Sequence, residues 1–589
     1  MSQFFKFVFA SCLGVILASV VVVGIAMAMA SSLMAESNKK DTIGPNTVLK
    51  LSFEEPVPEK ANNIPIDFAE FKTKKTLGLQ DIKQTLEAAS KDNNIKGIFM
   101  DLSSLSLGRA KAGAVRDAIL KFKESGKFVV SYGQYYSQST YYLASAADKV
   151  YVNPIGGVDF RGFSAQILFF KDMLDRLGVN MQIYYAGQFK SATEPFRLRK
   201  MSEQNRLQVR EYLDGMYEIY LQDISDSRGI AVPELKKIAN ELLLRDADDA
   251  VKYNMADAKG YRDEVYSYLR EKLGFEEDDK LKFVSINEYE GQANKEYDYS
   301  AKDKIAVVYA EGNIVDGDGD LGSVGGDKYA SILRKIRRDD NIKAIVMRIN
   351  SPGGSALASD IMWRELSLAK EAGKPVIASM GDLAASGGYY LACVADSIYA
   401  EPSTITGSIG VFGMIPSLQK MMDEKLGVTM DTVKTGKFSV GLNTFLDIDP
   451  EEGKIIQSGV EDFYEIFLKR VADGRKMSRD DVHKVAQGRV WTGEKAKQIG
   501  LVDHYGGLDE AVATAARMAG LTKYRTKEYP RIKEPIEQLI EELTNTGTDR
   551  AQTLIREELG ELYPFYHQLR DLQDMKGIQA KLPFMLEIQ

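Results

Sequence analysis

Apolar positions along this chain fall into two kinds of run. The first is a single uncharged stretch, Phe7–Ala35, rich in Val, Ile, Leu, Ala and Met. About 20 apolar residues cross a bilayer as a helix, so the stretch predicts a transmembrane anchor over residues 1–36, in contact with lipid through residues 7–30. A cleaved export leader is the competing reading, because Ala26-Met-Ala-Met-Ala-Ser offers small-residue cleavage sites. The apolar core is longer than the ~7–15 residues usual for such a leader, which favours the anchor. Lys6 on one side and Lys39 and Lys40 on the other barely bias its orientation. The second kind of run is short: apolar strands such as Ile98-Phe-Met, Ile345-Val-Met and Pro375-Val-Ile-Ala alternate with helical stretches. That alternation predicts an α/β fold with parallel-type strands.

The strand-and-helix pattern occurs twice. Asn93-Asn-Ile-Lys-Gly-Ile-Phe-Met-Asp-Leu-Ser-Ser104 parallels Asp340-Asn-Ile-Lys-Ala-Ile-Val-Met-Arg-Ile-Asn-Ser351. Gly126-Lys-Phe-Val-Val-Ser-Tyr-Gly133 parallels Gly373-Lys-Pro-Val-Ile-Ala-Ser-Met-Gly381, and Tyr141-Tyr-Leu-Ala-Ser-Ala-Ala-Asp148 parallels Tyr389-Tyr-Leu-Ala-Cys-Val-Ala-Asp396. The spacing is about 248 residues throughout, with small slips. The division expected is an anchor over 1–36, a first repeat with a helical linker over 45–300, a second repeat over 301–525 and a helical tail over 526–589. Within the linker, Glu203 to Ile224 and Val232 to Arg245 have helical patterns; in the second repeat, Gly488 to Asp503 reads as a helix between short strands.

Composition narrows the class without naming an activity. A chain of 589 residues holds three or four domains' worth of material, and 44% hydrophobic with 27% charged residues is ordinary for a globular protein. The net charge of −8 gives no sign of nucleic-acid binding. The two cysteines, Cys12 and Cys393, do not suit a disulfide, and no metal or nucleotide motif stands in a strand-to-helix setting. Asp316 to Asp327 has the look of a calcium loop but carries Leu321 at the sixth position and Asp327 at the twelfth, so the match fails. No metal and no cofactor are expected.

Candidate chemistry gathers where the copies differ. In Ala378-Ser-Met-Gly-Asp-Leu-Ala-Ala-Ser386-Gly-Gly-Tyr-Tyr, Ser386 sits where a strand passes into a helix. The glycines behind it leave its hydroxyl accessible and let another backbone approach. A serine that merely caps a core helix is the plainer reading until partners are found. At the 248-residue spacing, Gln138 stands opposite Ser386. Conversely, Tyr184-Tyr-Ala-Gly-Gln-Phe-Lys190-Ser-Ala-Thr-Glu-Pro-Phe196 carries a lysine where its counterpart, Val433 to Phe445, carries Ser439. One copy keeps a serine and the other a lysine, which suggests one composite site. A lysine acts as a base only when burial lowers its ~10.4 pKa, and Glu194 would oppose that if it faced the amine. Two further loops offer parts: Ser351-Pro-Gly353-Gly354, whose amides suit an oxyanion, and Thr406-Gly-Ser408-Ile-Gly, whose hydroxyl suits a lysine amine.

Ser-Pro-Gly-Gly, Ala-Ala-Ser386-Gly-Gly-Tyr-Tyr, Thr-Gly-Ser408-Ile-Gly and Gly-Gln-Phe-Lys190-Ser-Ala-Thr-Glu-Pro-Phe together resemble the signal peptide peptidase A family in its long, duplicated form. The resemblance runs from the apolar N-terminal stretch to about residue 525. It implies a crotonase/ClpP-like fold in each repeat and a membrane-anchored serine endopeptidase with a Ser/Lys dyad. Ser386 would be the nucleophile, Lys190 the general base and Ser408 the residue orienting the lysine. The amides of Gly353 or Gly354 and of Gly387 would form the oxyanion hole. It also implies signal-peptide remnants and other hydrophobic peptides as substrates, and a homo-oligomer, a tetramer being one form. The location implied is the bacterial inner membrane, as a single-pass protein with its catalytic part on the periplasmic side. Two other classes fit less well: a non-catalytic membrane-associated peptide-binding scaffold, and a crotonase-type acyl-CoA enzyme.

Overall fold

The computed structural model describes residues 43–53, 55–61, 76–290, 300–320, 322–531 and 577–582, with Leu13 and Gly14. The apolar N-terminal stretch therefore lies almost wholly outside the described residues, among which no helix is long and apolar enough to cross a membrane.

Strands β1 (Thr47–Phe53), β2 (Ile95–Leu105), β3 (Phe128–Gly133), β4 (Lys149–Val152), β6 (Ala258–Lys259) and β7 (Lys282–Ser285) form one six-stranded sheet in the order β6-β4-β3-β2-β1-β7. Every neighbouring pair in it is parallel. Strand β5 (Asn180–Ala186) leaves this sheet and joins another.

The second half builds a larger sheet from β8 (Lys304–Glu311), β11 (Ile342–Ser351), β13 (Val376–Ala385), β14 (Ser397–Ala400), β15 (Ile405–Gly407), β17 (Val490–Thr492), β18 (His504–Tyr505) and β19 (Arg525–Tyr529). The repeat seen in the sequence is a repeat in register. Gly97 pairs with Phe128 across β2 and β3, and Ile345 with Val376 across β11 and β13, each partner displaced by 248 residues. Helices Leu79–Lys91 and Gly326–Arg338 correspond with a slip of one residue, and Gln138–Ala144 and Gly387–Ala392 correspond to within one residue. Central strands such as β8 and β11 are buried along almost their whole length, as expected where helices cover both faces of a parallel sheet.

A third sheet joins the halves. It consists of β10 (Ser323–Gly325), β9 (Asn313–Val315), β12 (Gly353–Ser355), β20 (Gln579–Lys581), β16 (Val411–Ser417) and β5, in that order. β5 runs antiparallel to β16, from Ala186 opposite Val411 to Asn180 opposite Ser417. A helical linker, including Glu203–Arg228 and Val232–Asn240, follows.

The expected helical tail is corrected in its two described pieces. Arg525–Tyr529 is a strand beside β8, and Gln579–Lys581 is a strand between β12 and β16. Both meet sheet edges whose backbone groups need partners, and Ile578, Ala580 and Leu582 alternate with polar residues at the two-residue strand period. The rest of the tail lies outside the described residues.

Charges sewn between the halves fix their relation. Arg348 on β11 donates from Nε to Glu59 at 2.8 Å, both nearly inaccessible at 4% and 2% exposure. Its Nη1 also donates to Ser379 Oγ and the Met380 carbonyl. Lys111 of the first half donates to Glu311 at 3.3 Å, and its backbone amide donates to Asp382 at 3.0 Å. Burial would raise the Glu59 carboxyl, but Arg348 and Lys111 outweigh it and hold it below the usual range. Removing one partner of a buried pair strands the other, at about 3–5 kcal/mol. Glu59→Ala is therefore expected to destabilise the protein by that order, read as a fall in the denaturant midpoint; an unchanged midpoint would contradict this account.

Candidate active site

The site lies where the carboxyl ends of β11 and β13 meet. These neighbours are parallel, so the turn after β11 and the turn after β13 emerge side by side. The first is Pro352-Gly353-Gly354 and the second is Ser386-Gly387-Gly388. The two glycine turns interlock. A Cβ on Gly353 would lie 2.6 Å from the Gly387 nitrogen, and one on Gly388 would lie 2.8 Å from the Ser351 carbonyl oxygen. No larger residue fits either position.

Ser386 is fully buried and precedes the helix Gly387–Ala392 with φ +55° and ψ −114°. Positive φ is uncommon for a residue with a Cβ and stores strain. Flanking hydrogen bonds hold it: Ser386 N donates to Gly407 O at 2.8 Å, and Tyr390 N to Ser386 O at 2.8 Å. Ser408 also has positive φ, at +50°, and its amide donates to Arg489 O at 2.7 Å.

Lys190 arrives from the other half of the chain. β5 carries the backbone along β16, and the chain then turns at Gly187, whose φ is +108°. Phe189 N donates to Gln487 O at 2.8 Å. Gly488 lies against Lys190 so closely that a Cβ there would stand 2.6 Å from the Lys190 nitrogen. The side chain, 1% exposed, ends with Nζ 2.8 Å from Ser386 Oγ, 3.0 Å from Ser408 Oγ and 3.1 Å from the Ser408 carbonyl oxygen. A neutral amine has two N–H groups and one lone pair. The two Ser408 oxygens can accept the N–H groups, leaving the lone pair for the Ser386 hydroxyl.

Electrostatics favour that neutral form. Burial pushes the Lys190 amine well below the usual lysine range, and no neighbouring charge opposes it. Glu194, the feared exception, is turned away: its carboxylate accepts from Ser202 N, Ser202 Oγ and Asn205 Nδ2.

The structure thus brings Ser386, Lys190, Ser408, Gly353, Gly354 and Gly387 to one place. The amide of Gly353 is committed, donating to Ser351 Oγ at 3.1 Å, so this glycine contributes space more than a donor. Ser439, the counterpart of Lys190, is in an exposed turn where its hydroxyl donates to Gly436 O. Gln138, the counterpart of Ser386, accepts from the amides of Arg161 and Gly162. Three parts escaped the sequence reading: Ser351 Oγ, the Gln487-Gly488 buttress and β20. Only β20 carried a signal there, its alternating apolar residues.

Comparison with known proteins shows the family. The model of peptidase family S49 matches the chain twice, over residues 121–276 and 368–522. Protease 4 of Salmonella typhi is 37% identical over 487 residues, covering 80% of this chain and 77% of that one. Protease 4 of Haemophilus influenzae is 39% identical over 453 residues, covering 74% and 72%. The chloroplastic serine protease SPPA of Arabidopsis thaliana is 34% identical over 478 residues, covering 80% and 70%. The chain belongs to peptidase family S49 and carries the family domain in duplicate, the arrangement of the long signal peptide peptidase A form.

Gly488 tests the placement of the amine. Gly488→Ala puts a Cβ into the Lys190 backbone at a φ of +78°. A displacement near 1 Å costs about 100-fold in rate. Peptidase activity is expected to fall by that order with circular dichroism unchanged; full activity would mean that Lys190 tolerates movement.

Proposed function

We propose that this peptidase is a serine endopeptidase in which Lys190 is the general base for Ser386. The observation that carries the reading is the 2.8 Å approach of a buried lysine amine, remote from any carboxylate, to a buried serine hydroxyl. Ser386 Oγ attacks the peptide carbonyl as its proton passes to Lys190 Nζ. The tetrahedral oxyanion is held by the amides of Gly354 and Gly387, with Gly353 leaving room. The lysine then protonates the leaving amine, the peptide bond breaks, and water hydrolyses the acyl-enzyme with the same lysine as base. Ser408 orients the amine through its hydroxyl and carbonyl oxygens. Each repeat is read as a crotonase/ClpP-like unit, supported by its helix-crossed parallel sheet and, in the second repeat, the glycine turn.

The substrates proposed are extended apolar peptides, signal-peptide remnants among them. The uncharged Phe7–Ala35 stretch supports a membrane anchor, and kinship with the bacterial relatives supports the inner membrane as its place, the periplasmic side for the catalytic part being what the family resemblance implies.

Duplication supports a homo-oligomer. β5 pairs with β16 inside the chain, yet their counterparts 248 residues away, 428–434 and 163–169, belong to no strand. Residues 163–169 are mostly apolar, 428–434 carries Val428, Met430 and Val433 among polar residues, and Leu168, Met430 and Val433 are exposed. Pairing 428–434 of one copy with 163–169 of the next repeats the internal contact and leads to a head-to-tail ring. Val433→Lys is expected to lower the mass measured by light scattering to that of a smaller assembly; an unaltered mass would remove this interface.

Ser386→Ala and Lys190→Ala are each expected to cut activity on apolar fluorogenic peptides by on the order of 10⁴-fold or more, and the double variant no further, because the two act as a unit. The pH dependence follows from the direction of the lysine shift. Below its lowered pKa the amine is protonated and cannot accept a proton, so activity is lost as pH falls. It rises as the amine deprotonates, with a midpoint below the ~10.4 of a free lysine. Full activity in Lys190→Ala would refute the assignment of the base.

A further inference from the structure

We propose that Gln208 is the positioning residue of the composite site: its side-chain amide ties the backbone on both sides of Lys190 to the strand that holds Ser408. The proposal rests on the Ser386/Lys190 reading above. Gln208 belongs to the linker helix Glu203–Arg228 and is wholly buried. Its Nε2 donates to the Phe189 carbonyl oxygen at 3.1 Å and to Ser191 Oγ at 2.8 Å, one residue before the lysine and one after it. Its Oε1 accepts from the Val490 amide at 3.2 Å. Asn205 Oδ1, one turn back on the helix, is a further acceptor for Nε2 at 3.0 Å, so three oxygens share two N–H groups.

Through Val490 the amide reaches the other two residues of the site. Val490 on β17 pairs with Gly407 on β15. The Gly407 carbonyl accepts from the Ser386 amide at 2.8 Å, and the Ser408 amide donates to the Arg489 carbonyl at 2.7 Å. The helix is laid along β17 by the same face, at positions one and two turns on from Gln208. Glu211 pairs with Arg489, and a Cβ on Gly215 would stand 3.2 Å from Thr492 Cγ2. The backbone partners also fix which way round the amide sits. A carbonyl such as that of Phe189 only accepts, and an N–H such as that of Val490 only donates. The position therefore needs a side chain that donates and accepts at one end. Glutamate ionised lacks the donor, and methionine of similar length lacks both.

The link matters because Lys190 Nζ must meet Ser386 Oγ and both Ser408 oxygens at once, at 2.8–3.1 Å. The lysine stands on the first repeat and those oxygens on the second, so a slack join between 189–191 and 490 would open all three contacts together. It would also admit water to an amine whose pKa burial holds down. The ionisable groups on the elements around the lysine are already engaged. Glu194 is held by Ser202 and Asn205, Arg489 by Glu211, and Tyr464 by His483. Gln208 bears on the first of these too, since the Asn205 amide that bonds Glu194 is itself bonded by Gln208.

The test is kcat and KM on an external apolar fluorogenic peptide across pH, with Tm, for the full chain as wild type, Gln208→Met, Gln208→Glu and Tyr220→Phe. Gln208→Met is expected to lower kcat about 100-fold with KM little changed, and to move the pH midpoint upward as the amine is hydrated. Gln208→Glu keeps the acceptor for Val490, loses the donors and adds a carboxylate beside the lysine loop, which also moves the midpoint upward. Tyr220→Phe removes a buried hydrogen bond of the same helix, from the tyrosine hydroxyl to the Gln138 carbonyl at 3.1 Å. It is expected to lower Tm and leave the midpoint in place. A midpoint unchanged in both Gln208 variants overturns the inference, whatever becomes of kcat and Tm. So does a midpoint moved as far by Tyr220→Phe, since the helix as a whole is then responsible. Should Gln208→Met fail to fold, Gln208→Glu decides alone. A folded wild type that cuts no peptide, or a Lys190→Ala variant as active as wild type, sinks the Ser386/Lys190 reading and this inference with it.

Discussion

Burying an amine without a counter-charge is the constraint on which the rest of this structure depends. A protonated lysine in that position would be costly to desolvate, and no carboxylate stands by to offset it. Neutrality resolves the cost only while the two N–H groups and the lone pair all have partners. Ser408 supplies two oxygens and Ser386 the third contact, so the three residues are interdependent. The surroundings follow from this need. Gly488 and Gly187 let two backbones close on Lys190, and Glu194 is drawn off by Ser202 and Asn205.

Duplication explains how such a site is assembled. Each copy forms a parallel sheet crossed by helices, and each has a short helix after its third strand, at Gln138 or at Gly387. Only the second helix is preceded by a strained serine and opens on two glycines. Only the first copy sends out a strand, β5, that finds a partner within the chain. The amine and the hydroxyl come from different copies because β5 crosses into the other copy's sheet. The ion pairs about Glu59, Arg348, Lys111 and Asp382 keep that crossing in register, since Arg348 and Asp382 lie on β11 and β13, the strands whose ends form the site.

Much of this was legible in the residues, and the limits of legibility have physical causes. Two α/β copies follow from the 248-residue repeat and the alternation of apolar runs, both local signals. The serine, the lysine and the glycine turns stood out because loss of each in one copy left a visible mismatch with the other. The tail misled because 532–576 dominates its composition, whereas its described ends, 525–529 and 577–582, become strands by meeting open edges far away in the chain. The pairing of Glu59 with Arg348, 289 residues apart, left no pattern at all.

By itself, the sequence determined the element types, their duplication and the inventory of reactive groups, because periodicity and residue chemistry are properties of neighbours along the chain. Tertiary structure alone decided that burial lowers the pKa of Lys190, that it touches Ser386 rather than solvent, that Gly353 gives space while its amide serves Ser351, and that Ala580 lies in the cleft. Each of these depends on burial or on contacts between segments hundreds of residues apart. A pKa, a strained φ and a filled cleft are set by what surrounds a residue, and only folding chooses those surroundings.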